Sequence, residues 1–312
     1  MKKLSPQLLA RTIATSLFIA VAAGTWDAWW HGAVGRESFL EPPHLLLYAG
    51  TAVAIALGIL GWRMTKEKIW KRLALVLLLV PVSAPFDEIW HQIYGYEDLS
   101  SIWVIWSPPH LLLIGAIIAS LAMLLPVLMK DEDPMAKRLF GALTFASILN
   151  LAMILPGPLE PTGGWALLGF WGAGGVAVAY VLILLLAQKW IPGIAAATLT
   201  AMSFIVLYSI AFGNEVAEDI VLTPHDHAPS FLIVFAFLIP AVLLDLMKQQ
   251  PTWLRGAITG ALWAAILYGF SSAFFAPQFQ YALSDTYVAV AASGIGGVCA
   301  ALLTTVFSPH TT

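Results

Sequence analysis

The chain has 312 residues, of which 60% are hydrophobic and only 11% charged, and it carries a formal net charge of −3. A soluble domain of this length could not hide that much apolar surface, so the composition excludes a water-soluble enzyme and a nucleic-acid-binding protein and implies a polytopic membrane protein. The single cysteine, Cys299, excludes an internal disulfide and any cysteine-based metal site.

Apolar runs of membrane-crossing length predict an all-α, polytopic transmembrane helical bundle of about ten spans. They lie near residues 7–31, 43–62, 72–92, 107–129, 137–155, 164–187, 191–213, 228–247, 254–275 and 286–307. The first run imitates a secretory signal, with Lys2-Lys3, an apolar core and Ala20-Val21-Ala22 as a cleavage-like site. Cleavage there would strip Asp27 of the helix that positions it, so the run is read as a retained span. With the N-terminus inside, every Lys and Arg except Arg36 falls on the cytoplasmic side, which places both termini in the cytoplasm. The expected location is the plasma (inner) membrane.

One pattern occurs twice. The first copy, WDAWWHGAVGRESFLEPPHLLL, carries Asp27, His31 and His44; the second, FDEIWHQIYGYEDLSSIWVIWSPPHLLL, carries Asp87, His91 and His110. In each, an acid and a His four residues apart share one helix face, and a Pro-Pro-His opens the next apolar run. The repeat unit is therefore a helical hairpin. Its two copies occupy roughly 7–62 and 72–129, with a degenerate third around Asn214, Glu218 and His227. On this reading residues 1–129 form a ligand-bearing half, and residues 130–312 add further membrane helices that wall the site or dock partners. The charged loop KDEDPMAKR at 130–138 is the expected hinge, or simply a solvated connection.

Ionisable groups in a membrane span cost several kcal/mol unless paired, so both acid–His sets invite a functional reading. Two imidazoles and a carboxylate suit iron, copper or zinc and leave positions open for water, oxygen or substrate. The alternative is a buried Asp–His hydrogen bond that pins a helix pair. Trp30 and Trp90, each just before a His, would shield a metal or belong to the interfacial aromatic belt. Methionine is absent from the predicted outer loops, which argues against transit of monovalent copper and towards a held ion. The acids concentrated on the outer side would attract cations, or are what a positive-inside bias leaves there.

The first copy resembles the C subunit of the particulate methane and ammonia monooxygenases, a family of copper-dependent membrane enzymes. The register Asp27-Ala-x-Trp-His31, then Arg36-Glu37-Ser38, then Pro42-x-His44 is similar to the family's segment in ligands, tryptophan, arginine–acid pair and proline. Asp87-Glu88-x-x-His91 followed by Pro108-Pro109-His110 looks like its second site, with Asp87 in place of an Asn and a longer gap between the histidines. The likeness covers about residues 20–115 and implies a divergent relative, with roughly 180 residues beyond it.

The resemblance implies a membrane-embedded oxidoreductase, monooxygenase-like, that uses oxygen to hydroxylate a small apolar substrate. Copper is the first expectation, with iron or zinc as alternatives, as one or two ions. Asp27, His31, His44, Asp87, His91 and His110 are the expected ligands, and Glu88 a neighbouring base or proton carrier. No haem, flavin or iron–sulfur motif is visible, so an external electron donor is required. Other expected partners are the lipid bilayer and either companion membrane subunits or further copies of the chain; no nucleic acid is expected. The rival readings are a metal transporter and an assembly subunit whose metal is only structural.

Overall fold

The computed structural model describes residues 5–34, 40–94, 106–156, 168–220, 230–270 and 282–307, and within them the side chains of all but 28, 31–33, 210–220, 230–233 and 270. Every regular element among these residues is helical. Seven helices in the described residues are long and apolar enough to cross a membrane. They are Pro6–Asp27, Pro42–Thr65, Lys68–Tyr94, Pro108–Leu128, Pro134–Ile154, Gly169–Trp190 and Leu283–Leu303. The other three expected spans are also helical but fall short of that standard. Two are the apolar stretches Ala196–Ser209 and Val234–Leu246; the third is Thr252–Ala264, continued by a π-helical turn at Ala265–Phe270.

The chain divides into two compact units, Met1–Leu151 and Ala152–Thr312. In the first, α1 (Pro6–Ala33) starts where Ser5 Oγ accepts the Leu8 N–H, and Pro6 supplies a pre-set first turn. It forms a hairpin with α2 (Pro42–Thr65). The pairing is antiparallel: His44 meets Asp27, Leu47 lies against Gly24, and Gly50 against Ser16 and Ala20. A Cβ on Gly50 would come within 2.8 Å of the Ser16 carbonyl oxygen. Between membrane helices such close approach replaces the hydrophobic drive that water would provide.

The α2 helix then pairs with α3 (Lys68–Leu77), whose buried Trp70 fills the space left by Gly61 while Ala74 sits against Gly58. The expected single span at 72–92 lies within the membrane-length helix Lys68–Tyr94, in which a one-residue break at Leu78 separates α3 from α4 (Leu79–Tyr94). Pro81 explains the break, because it cannot donate to the Leu77 carbonyl and its ring crowds that oxygen. Along α4, Val80, Ser83 and His91 are buried while Phe86, Ile89 and Ile93 are exposed. A helix with polar groups inward and large apolar groups outward is what a lipid environment selects, the reverse of a surface helix in water.

The unit continues with α5 (Pro108–Leu128) and α6 (Pro134–Ile154). Two tethers hold the α5–α6 connection and α6 to α1: Arg11 makes a two-point contact with Asp131, and Asn150 donates to Thr25. Both tethers lie within the first compact unit, which ends at Leu151.

The second unit contains α7 (Ala173–Trp190), α8 (Ala196–Ile220), α9 (Ser230–Leu246), α10 (Thr252–Ala264) and α11 (Leu283–Leu303). Asp245 of α9 caps α8, accepting from the Thr198 N–H and hydroxyl at 2.8 Å each and from Gln188 at 2.7 Å. Small residues let α11 approach both α7 and α10 with backbones in contact. A methyl on Gly256 would collide with the Gly297 carbonyl, and one on Gly296 with that of Gly174.

Candidate metal centre

Two clusters of donor atoms lie in the first unit, each at the junction of one hairpin's helices. Both junctions are made in the same way. Pro42-Pro43 and Pro108-Pro109 occupy the first two helical positions of α2 and α5, where their missing N–H groups cost nothing. The next residue is the histidine, His44 or His110, so a rigid entry fixes where the imidazole leaves the helix.

In the second hairpin, Nε2 of His91 and Nε2 of His110 each stand 3.4 Å from Oδ1 of Asp87. Their rings meet edge to face with centroids 5.8 Å apart. His91 and Asp87 are one turn apart on α4, and His110 arrives from α5. Ser107, the fully buried cap of α5, accepts the His110 N–H at 3.3 Å and lies 2.8 Å from His110 Nδ1. When Nδ1–H donates to Ser107, the Nε2 lone pair points at the cluster, the usual outer support of a metal-bound histidine.

In the first hairpin, His44 Nε2 is 3.1 Å from Asp27 Oδ2, and the His44 ring stacks on Tyr48 at 6.0 Å. The third member is Glu41, which the sequence reading did not propose. Its carboxylate belongs to a set of donor atoms with Asp27 and His44, all within 4.8 Å of one another. Glu41 is buried, and although it is the cap residue of α2 its side chain makes no capping hydrogen bond. The signal was there to read: Glu41 precedes its Pro-Pro-His as Ser107 precedes the other, and an acid beside a ligand is itself a candidate.

The expected ligands Asp27 and His44 are thus together, and so are Asp87, His91 and His110. His31 lies on α1 one turn beyond Asp27, but its side chain is outside the described residues. Arg36, Glu37, His225 and His227 are outside them too, as are the side chains of Asn214 and Glu218. Glu88 accepts from Gln92 Nε2 at 3.0 Å and is not a member of either donor set. Trp30 packs edge-on against Trp26 and Trp90 against Tyr94, aromatic pairs on one helix that suit an interfacial belt.

The spacing of the second set is compatible with a bound ion, while the 3.1 Å between His44 and Asp27 is also an ordinary hydrogen-bond distance. Two ligand atoms ~2.1 Å from one ion at a tetrahedral angle are about 3.4 Å from each other. That is the separation in the second cluster, longer than the roughly 2.7–3.2 Å usual for a direct N–H···O bond. No protein-family model, curated protein or solved structure matches the chain. The likeness to the monooxygenase subunit therefore rests on the sequence motifs between about residues 20 and 115.

Proposed function

We propose that this protein is an integral membrane metalloprotein with oxidoreductase activity, in which the Asp87–His91–His110 centre holds a redox-active ion for hydroxylation of a small apolar substrate. The observation that carries the metal reading is the convergence of two imidazoles from different helices on a single carboxylate oxygen at 3.4 Å each. Both separations exceed an ordinary N–H···O hydrogen bond, which is what ligand atoms sharing one ion would show. Two histidines and one carboxylate with open positions are a donor set for iron or copper, and the resemblance in the first hairpin makes copper the first choice.

When bound, copper or iron supplies the one-electron chemistry that oxygen activation requires. The chain's own residues supply the rest. Asp87 and His91 hold their donor atoms on one face of α4, Ser107 orients His110, and the apolar helices exclude water and admit a lipid-soluble substrate. Glu88, one residue from Asp87 and hydrogen-bonded to Gln92, is placed to carry a proton between solvent and the centre. An external donor provides electrons. Ten spans with both termini cytoplasmic would put both centres at the outer face of the plasma membrane, and the positive-inside distribution supports that arrangement.

Metal analysis of the purified full-length protein tests the proposal. One or two equivalents of copper or iron are expected, and His91→Ala and His110→Ala each lose the ion of the second centre. Protein that stays metal-free after reconstitution, or keeps its metal in both variants, refutes it. Turnover of an apolar substrate with consumption of oxygen separates this reading from transport, which would appear as metal flux into proteoliposomes.

A further inference from the structure

We propose that the α2–α3 turn is a docking surface for anionic phospholipid headgroups, in which Arg63, Lys66, Lys68, Lys71 and Arg72 bind the lipid phosphates and Trp62 anchors the turn at the membrane boundary. The inference is independent of the metal centres.

The turn joins two helices of membrane-crossing length, Pro42–Thr65 and Lys68–Tyr94, so it sits where hydrocarbon gives way to headgroups. From Arg63 to Arg72 the sequence RMTKEKIWKR carries five cations and a single acid, Glu67. All five cations are exposed, and among the described residues none of them is in an ion pair. Apolar groups share this surface, because Trp62, Met64 and Leu75 are exposed as well. The Lys71 ammonium lies 5.3 Å from the centre of the Trp62 ring. A cation over an indole at this level has its charge among the phosphates and its aromatic partner in the boundary layer.

Local folding accounts for little of this charge. Arg63 suits the last turn of α2, but Lys68 and Lys71 stand in the first turn of α3, where the helix dipole disfavours cations and no acid is present. Lys66 caps α2 in the left-handed region at φ 60, which glycine adopts without steric cost and a lysine adopts under strain. A positive-inside bias explains the sign of the charge at this end, not its density. Cations beside a bilayer attract anionic lipid cumulatively, each by about fivefold. Arginine grips a phosphate through two parallel bonds and lysine through a point charge.

The test titrates full-length protein in neutral detergent with a fluorescent phosphatidylglycerol and follows anisotropy. Binding is expected to saturate, to weaken with salt, and to be reversed by unlabelled phosphatidylglycerol but not by phosphatidylcholine, nor by inorganic phosphate at constant ionic strength. Replacing Lys66, Lys68 and Lys71 together by Gln should weaken it by more than about tenfold, with thermal unfolding in lipid-free detergent reporting the fold. Removing charge elsewhere, with Lys137→Gln and Lys248→Gln, should leave it unchanged. Should the triple variant fail to fold, Lys66→Gly decides, because glycine suits the left-handed turn and still removes one cation; about fivefold weaker binding is expected. Equal affinity of the wild type for both lipids, displacement by inorganic phosphate, or unchanged affinity in the folded variant overturns the proposal.

Discussion

Ser107→Ala separates the two tasks of one hydroxyl. Ser107 Oγ accepts the His110 backbone N–H at 3.3 Å, a long bond, and lies 2.8 Å from His110 Nδ1, a short one. Loss of a helix cap costs about 0.5–2 kcal/mol, and the long contact places this cap near the low end. Loss of the partner that orients a metal-bound histidine costs ~10–100-fold in affinity, or about 1.4–2.8 kcal/mol. Metal-free protein should lose the cap and the buried Nδ1 bond together, about 1–2 kcal/mol. The metal-loaded protein should lose more, so the stabilisation conferred by metal shrinks. Chelator competition gives the dissociation constant, and thermal unfolding with and without metal gives the two stabilities. Ser107→Thr keeps the hydroxyl and should restore both. Equal losses in metal-free and loaded protein, or an unchanged dissociation constant, would refute the orientation of His110 by Ser107.

Other outcomes follow from the packing and the charges. Gly50→Val should disrupt the α1–α2 hairpin, because even a Cβ would approach the Ser16 carbonyl to 2.8 Å; the expected cost is about 2–3 kcal/mol, with loss of metal at the first centre, read by unfolding in detergent and metal analysis. Breaking the Arg11–Asp131 contact with Asp131→Asn should cost about 1–3 kcal/mol, because two charge-assisted bonds of 2.7 Å each are lost from a carboxylate that is only 5% exposed. The Arg11 guanidinium holds the Asp131 carboxyl below the usual range, the backbone N–H of Asp133 lowering it further. Because the folded value is depressed, this stabilisation is complete above the unfolded value, near ~3.9, and fades as pH falls through the folded one. An acid titration of stability should show that loss in the wild type and not in Asp131→Asn. Tyr180→Phe should destabilise the second unit by about 1 kcal/mol, since its buried hydroxyl donates to the Phe237 carbonyl at 2.5 Å; an unchanged melting temperature would count against that bond.

The sequence by itself determined what depends on local chemistry. Apolar length made the chain helical and membrane-bound, because an unpaired backbone is prohibitive in lipid. Helix periodicity put Asp87 and His91 on one face. Pro-Pro-His announced the start of α2 and α5, because proline fits only a helix's first turn. The repeat linked those starts to the acids before them. Tertiary structure decided what depends on which surfaces meet. The break at Leu78 came from Pro81 inside a run whose hydropathy is continuous, and hydropathy does not register a missing N–H. Arg11 and Thr25, far away in the chain, hold Asp131 and Asn150 within the first unit. Glu41 was not legible from helix spacing as a member of the first donor cluster, because such spacing cannot pair a residue with its cluster across a loop. Only the antiparallel register of α1 and α2, set by Gly50 against Ser16, brings its carboxylate to Asp27. The doubled motif thus pointed to both donor clusters, but tertiary packing decided which donor atoms come together in each.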